Sequence, residues 1–111
     1  MKNEYGVTLE RSGYAPSVVQ KDPERCFLCG KRNQKLDRHE PFGGPLRDKS
    51  KRLGIWVLLC HSECHQGNSG VHKNAELARR LKQRPQQAAM QWYGWSEEDW
   101  HREFGKSFLE N

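Results

Sequence analysis

Apolar residues are scarce in this chain. Only 34% of its 111 residues are hydrophobic, against 30% charged, and a core drawn from so short and polar a chain stabilises weakly by itself. The longest apolar run, Ile55 to Cys60, falls far short of the ~20 residues of a membrane-spanning helix. The first residues lack the apolar stretch of a secretory signal, so a soluble, unexported, cytoplasmic protein with no membrane partner is expected. Repeats and low-complexity tracts are absent as well. Acidic residues are outnumbered, 14 Asp and Glu against 19 Lys and Arg. That excess is too mild to identify a nucleic-acid partner unless local clusters carry the argument. The length argues for a single domain spanning 1–111, and a chain this polar needs a staple, for which a structural metal is the natural choice.

Metal-seeking side chains are concentrated where that staple would sit. Cys26-x-x-Cys29 and Cys60-x-x-x-Cys64 are separated by thirty residues. Two such knuckles on different loops offer four thiolates at the corners of a tetrahedron, the geometry zinc prefers. Two disulfides are the competing reading, but nothing points to an oxidising compartment. The three-residue spacing of the second pair is loose, and is also compatible with His61 or His65 standing in for Cys64. The segment from Leu58 to His72 adds His61, His65 and His72 to its two cysteines, and His39 lies in an earlier cluster with Asp37 and Glu40. A four-thiolate site needs no further ligand. Surplus histidines beside it point to a second metal or to general base work, both ordinary roles of imidazole near neutral pH. His61 and His101 read more simply as surface or supporting histidines.

The chain divides into an N-terminal arm (1–20), a metal-stabilised module (21–74) and a helical tail (75–111). "YGVTL" in the arm has strand character and "RSGYAPS" reads as a loop. Within the module, "KLDRHE" and "IWVLLC" are expected strands, with Gly43, Gly44 and Pro45 turning the chain between them. Asn74 is a good N-cap for a helix whose Leu77 and Leu81 share one face. Pro85 is expected to kink or restart that helix, which then runs to Gly94. Ser96 and Asp99 form a capping-box pattern ahead of a last short helix carrying Trp100 and Phe104. Trp92, Tyr93, Trp95, Trp100, Phe104 and Phe108 are expected to be core contacts that dock the tail.

The order "CFLCG", "LDRHEPFGG", R-x-x-S, an apolar strand, "LC-x-x-x-CH" and "VH" resembles the HNH endonucleases of the ββα-metal fold, especially the small zinc-stabilised kind of bacteriophages and prophages. The resemblance covers about Cys26 to His72, with weaker similarity in "FGKSFL". It implies an α+β fold with a structural four-cysteine zinc site, in a protein that hydrolyses DNA phosphodiester bonds with little sequence specificity inside a bacterial host. It also implies Mg²⁺ or another divalent ion, with His65 and His72 as ligands. For the first-strand cluster two registers stay open. Either His39 binds the metal and Glu40 is the base, or His39 is the base and Asp37, two residues back on the same strand face, assists or binds metal. One family feature is missing: no asparagine occurs in "GIWVLL", where a residue orienting the base is expected.

"RDKSKR" places Arg47, Lys49, Lys51 and Arg52 next to the proposed site, where they would contact phosphates without reading sequence. "ARRLKQR" adds Arg79, Arg80, Lys82 and Arg84. Two alternatives to the nuclease remain: a non-catalytic zinc module that binds nucleic acid, and a zinc-scaffolded protein-interaction domain using the Trp-rich tail.

Overall fold

Two short strands, β1 (Leu36–His39) and β2 (Val57–Cys60), pair antiparallel, with Leu36 opposite Cys60 and His39 opposite Val57. Their register decides what faces what. Side chains alternate along a strand and cross-strand partners share a face, so Asp37, His39, Val57 and Leu59 lie on one side of the sheet. Arg38, Leu58 and Trp56 lie on the other. Around this sheet are the helices α1 (Arg47–Leu53), α2 (Ala75–Tyr93) and α3 (Glu97–Phe104), giving an α+β chain. This computed structural model describes residues 1–67, 70 and 74–109.

The connection between the strands is more than the expected Gly-Pro turn. Gly44–Leu46 forms one 3₁₀ turn that leads directly into α1. The segment "RDKSKRL" is built of strong helix formers and closes on Gly54 in the left-handed conformation (φ 74°), a C-terminal stop of the usual kind. Ser50, wholly buried, donates from Oγ to the Phe42 carbonyl and ties the helix to the turn before it. Gly54 has a second reason to be glycine, since a Cβ there would lie 2.2 Å from the Pro16 carbonyl oxygen of the arm. Gly54→Ala is therefore expected to cost more than the ~1 kcal/mol of an ordinary left-handed strain. A urea midpoint unchanged from wild type would contradict the close approach.

The arm has no regular strand. "YGVTL" contributes a single bridge, Lys2 to Thr8, around a turn held by Asn3. The Asn3 side chain accepts from the Tyr5 and Val7 amides and donates to the Arg52 carbonyl, so one buried amide pins the arm to the end of α1. Farther on, Ala15 and Val18 donate their amides to Lys51 and Gly54, and Trp56 Nε1 donates to the Ala15 carbonyl. The arm thus wraps α1 and the start of β2.

The helix boundaries in the tail follow local chemistry. Asn74 Oδ1 caps the Leu77 amide, Gly94 ends α2 at φ 70°, and Ser96 with Asp99 makes a reciprocal capping box. Pro85 does not restart the helix; α2 runs through it as one 19-residue element. Its ring is fully buried, and that packing offsets the hydrogen bond that proline cannot make. Gln86, also fully buried, donates to Ser107 Oγ and accepts from the Phe108 amide, which fastens the chain after α3 back onto α2.

Two apolar clusters result. One gathers Cys26, Val57, Leu59, Cys60 and Leu81 beneath the cysteine knuckles. The other gathers Phe42, Leu53, Ile55, Ala89, Trp100 and Phe104, with Tyr93, Trp95 and Phe108 against it. Of the expected tail aromatics, Trp92 departs: it is 65% exposed. The segment after α2 returns across the side of that helix carrying Gln86, Met90 and Tyr93, and leaves Trp92 uncovered. Among the described residues, no helix is long and apolar enough to cross a membrane.

Candidate metal centre and histidine cluster

The two knuckles arrive from opposite directions. Cys26 and Cys29 sit on a loop that is tied to β2 by the Phe27 amide donating to the Leu58 carbonyl, and that turns at Gly30 (φ 75°). Cys60 ends β2, and Cys64 lies in the π-helical turn His61–His65 directly after it. The four sulfurs lie within 4.8 Å of one another, and Cys29 Sγ is 3.8 Å from Cys60 Sγ. Zinc–sulfur bonds of about 2.3 Å in a tetrahedron imply edges of about 3.8 Å, whereas a disulfide needs sulfurs at about 2 Å. All four cysteines are free thiols.

The surroundings favour one thiolate. Burial pushes the Cys26 thiol up, but amides of Cys29, Cys60 and Leu28 outweigh it and hold it at about 7. The Cys64 amide reaches Cys60 Sγ at 3.4 Å. Burial pushes the Cys29 and Cys64 thiols up, so those sulfurs keep their protons unless a cation replaces them. The group can hold a structural metal such as zinc.

A second cluster forms on the face of β1 that carries Asp37 and His39. Asp37 Oδ2 lies 2.5 Å from His61 Nδ1 and 2.9 Å from His65 Nδ1. Burial raises the Asp37 carboxyl, but hydrogen bonds from His65 and His61 more than offset this and hold it below the usual carboxylate range. An ionised Asp37 accepts from both rings, which places each Nδ1 proton and leaves each Nε2 as the lone-pair nitrogen when the ring is neutral. His39 stands beside His65, ring centroids 5.3 Å apart and nearly perpendicular. Both line a polar recess of about 280 Å³ together with Arg38, Glu40, Gly43 and Arg47.

Glu40 is committed elsewhere. Its side chain is 7% exposed, pairs with Arg47 Nε at 2.8 Å and accepts from Tyr14 Oη at 3.0 Å. Burial and the neighbouring Glu40 carboxylate push the Tyr14 phenol up, so it remains a donor.

The basic run of the first cluster is dispersed, because α1 distributes successive side chains around its axis. Arg47 faces the recess. Lys49 donates to the Glu103 carbonyl and lies over Phe104. Lys51 lies over Tyr14. Arg52 pairs with Glu4 of the arm. Of the four residues expected at phosphates, only Arg47 lines the histidine recess.

Sequence reasoning names His61 only as a surface or supporting histidine or a stand-in for Cys64, and does not identify Tyr14. His61 carries a signal: it stands four residues before His65, a spacing that brings side chains to one face of a helical turn. Tyr14 has no local signal, because its partner Glu40 is 26 residues away. His72 lies outside the described residues. Among those described, no group of three or more ligating side chains besides the cysteines converges as tightly as they do.

Comparison of the chain with protein-family models, with curated proteins and with solved structures found no match.

Proposed function

We propose that the protein is a zinc-stabilised endonuclease of the HNH type that hydrolyses DNA phosphodiester bonds. The observation carrying this reading is the convergence of His39, from β1, with His65, from the turn after β2, over one polar recess. The resemblance required those two rings to meet across the hairpin. The order β1, β2 and the helical turn His61–His65 is compatible with a ββα-metal module.

Each side chain then has a task within its chemistry. His39 takes the proton of the attacking water, since the Glu40 carboxylate is already satisfied by Arg47 and Tyr14. Asp37 orients His65, whose Nε2 would ligate a divalent cation. Such a cation, Mg²⁺ or a similar ion, would supply charge stabilisation at the leaving oxygen. Arg47, 63% exposed at the rim, is placed to meet a phosphate. The asparagine missing from β2 leaves His39 to be oriented by other contacts.

The test is nicking of supercoiled plasmid by the zinc-loaded protein in Mg²⁺ or Mn²⁺. His65→Ala should retain its zinc and lose at least about 100-fold in rate, the scale of losing a ligand or its support. Salt-sensitive DNA binding with no cleavage under any of several divalent ions would favour the non-catalytic alternative.

A further inference from the structure

A second recess lies behind the histidine cluster, on the other face of the sheet. It measures about 550 Å³, the size of a small-ligand site, and is built where the arm crosses β1 and β2. Its floor is Leu58 and Trp56, its wall is Tyr14, and Lys21 stands exposed at its rim. Arg38 runs through it. The guanidinium carbon lies 4.3 Å from the Tyr14 ring centroid and 4.9 Å from that of Trp56, and the two rings meet edge to face at 5.7 Å.

We propose that this recess receives an unpaired nucleobase of the DNA strand, so that the preferred substrate is single-stranded or locally unpaired. The choice of occupant rests on the nuclease reading; the geometry of the recess does not. Three observations converge. The half-buried Trp56 ring and the planar Arg38 guanidinium over it offer surfaces on which an extruded base stacks, with little regard to which base it is. Lys21 supplies positive charge for an adjoining phosphate, and the one carboxylate present, Glu10, is paired with Arg38. Arg38 also lines the histidine recess, so the two cavities share a wall. A strand with one base behind β1 can therefore pass Arg38 towards the histidine recess. A base held in a duplex is stacked and cannot enter.

The test uses the zinc-loaded full chain without Mg²⁺ and a short single-stranded oligonucleotide carrying 2-aminopurine, whose fluorescence falls on stacking. Binding should quench the probe and shift the indole Nε1 resonance of Trp56 but not that of the exposed Trp92, which does not line the recess. A blunt duplex of the same sequence should bind at least about 10-fold more weakly. Trp56→Ala should weaken single-strand binding roughly 10-fold, the scale of one lost stacking contact, while Trp56→Phe retains most of it. Lys21→Glu, at an exposed position, should weaken binding and lower its salt dependence. Binding without quenching, an unmoved Trp56 resonance, equal affinity for the duplex, or no single-strand binding would each overturn the proposal. Plasmid nicking in a parallel assay separates the two readings. Nicking without base stacking sinks only the recess, and stacking without nicking sinks only the nuclease.

Discussion

Stripping the metal from the four cysteines is expected to unfold the chain. Cys26 and Cys60 are each 1% exposed and belong to the same apolar cluster as Val57, Leu59 and Leu81, so the thiol cluster and half of the core are one structure. Structural zinc contributes on the order of 10–16 kcal/mol of apparent binding free energy in small domains, against a total stability of about 5–15 kcal/mol for a typical domain. The loss should not stay local. β2 and the segment leading into it bridge both clusters, Ile55 packing into one and Val57 and Leu59 into the other. Near-UV dichroism from the Trp100 and Phe104 stack, remote from the cysteines, should therefore disappear together with the metal and return on zinc addition. The sign of the pH effect follows from the thiols. Cys29 and Cys64 are pushed up by burial, so metal uptake at neutral pH displaces their protons, and acid, by protonating the sulfurs, releases the metal and the fold with it. Proton release on zinc addition is measurable by calorimetry in buffers of different ionisation enthalpy. A chelated protein with an unchanged thermal transition would refute the staple.

His39→Ala is expected to lower plasmid nicking by about 10²–10⁴-fold, the contribution of a positioned general base, with zinc content and thermal midpoint near wild type. The comparison that gives this result meaning is Glu40→Gln. The Glu40 carboxylate holds Arg47 and Tyr14 from a nearly buried position, so neutralising it should cost about 1–3 kcal/mol of stability and less than a tenfold change in nicking. The opposite pattern, a tolerated His39→Ala with an inactive Glu40→Gln, would place the base at Glu40 and make His39 a ligand. Stability and rate measured on both variants thus decide between the two registers that the sequence leaves open.

Much of the framework is legible in the sequence because it depends on near neighbours. The Asn74 cap, the Gly94 stop and the Ser96–Asp99 box each involve groups within a few residues, where chemistry and spacing suffice. The cysteine spacing likewise announces a tetrahedral cluster. The departures have one cause. α1 reads only as a charge run, since its apolar contribution is a single buried leucine, Leu53, beside the buried Ser50. Pro85 is a helix breaker by type, yet it sits in a helix whose continuity is maintained by contacts with other elements. Trp92 has the character of a core residue, but the core ends one residue away from it.

The sequence by itself determined the thiol tetrad, the caps and the polarity of the chain, because these follow from residue type and short separations. Only the tertiary structure decided that Asp37 serves both His61 and His65, that Glu40 is claimed by Arg47 and Tyr14, and that the arm closes a recess against Arg38 and Trp56. Asp37 and its two histidines, like Tyr14 and Glu40, are 24 to 28 residues apart and meet where the arm or the sheet brings them together. At that distance no periodicity selects one partner over another; strand register and the burial of a few charged groups do.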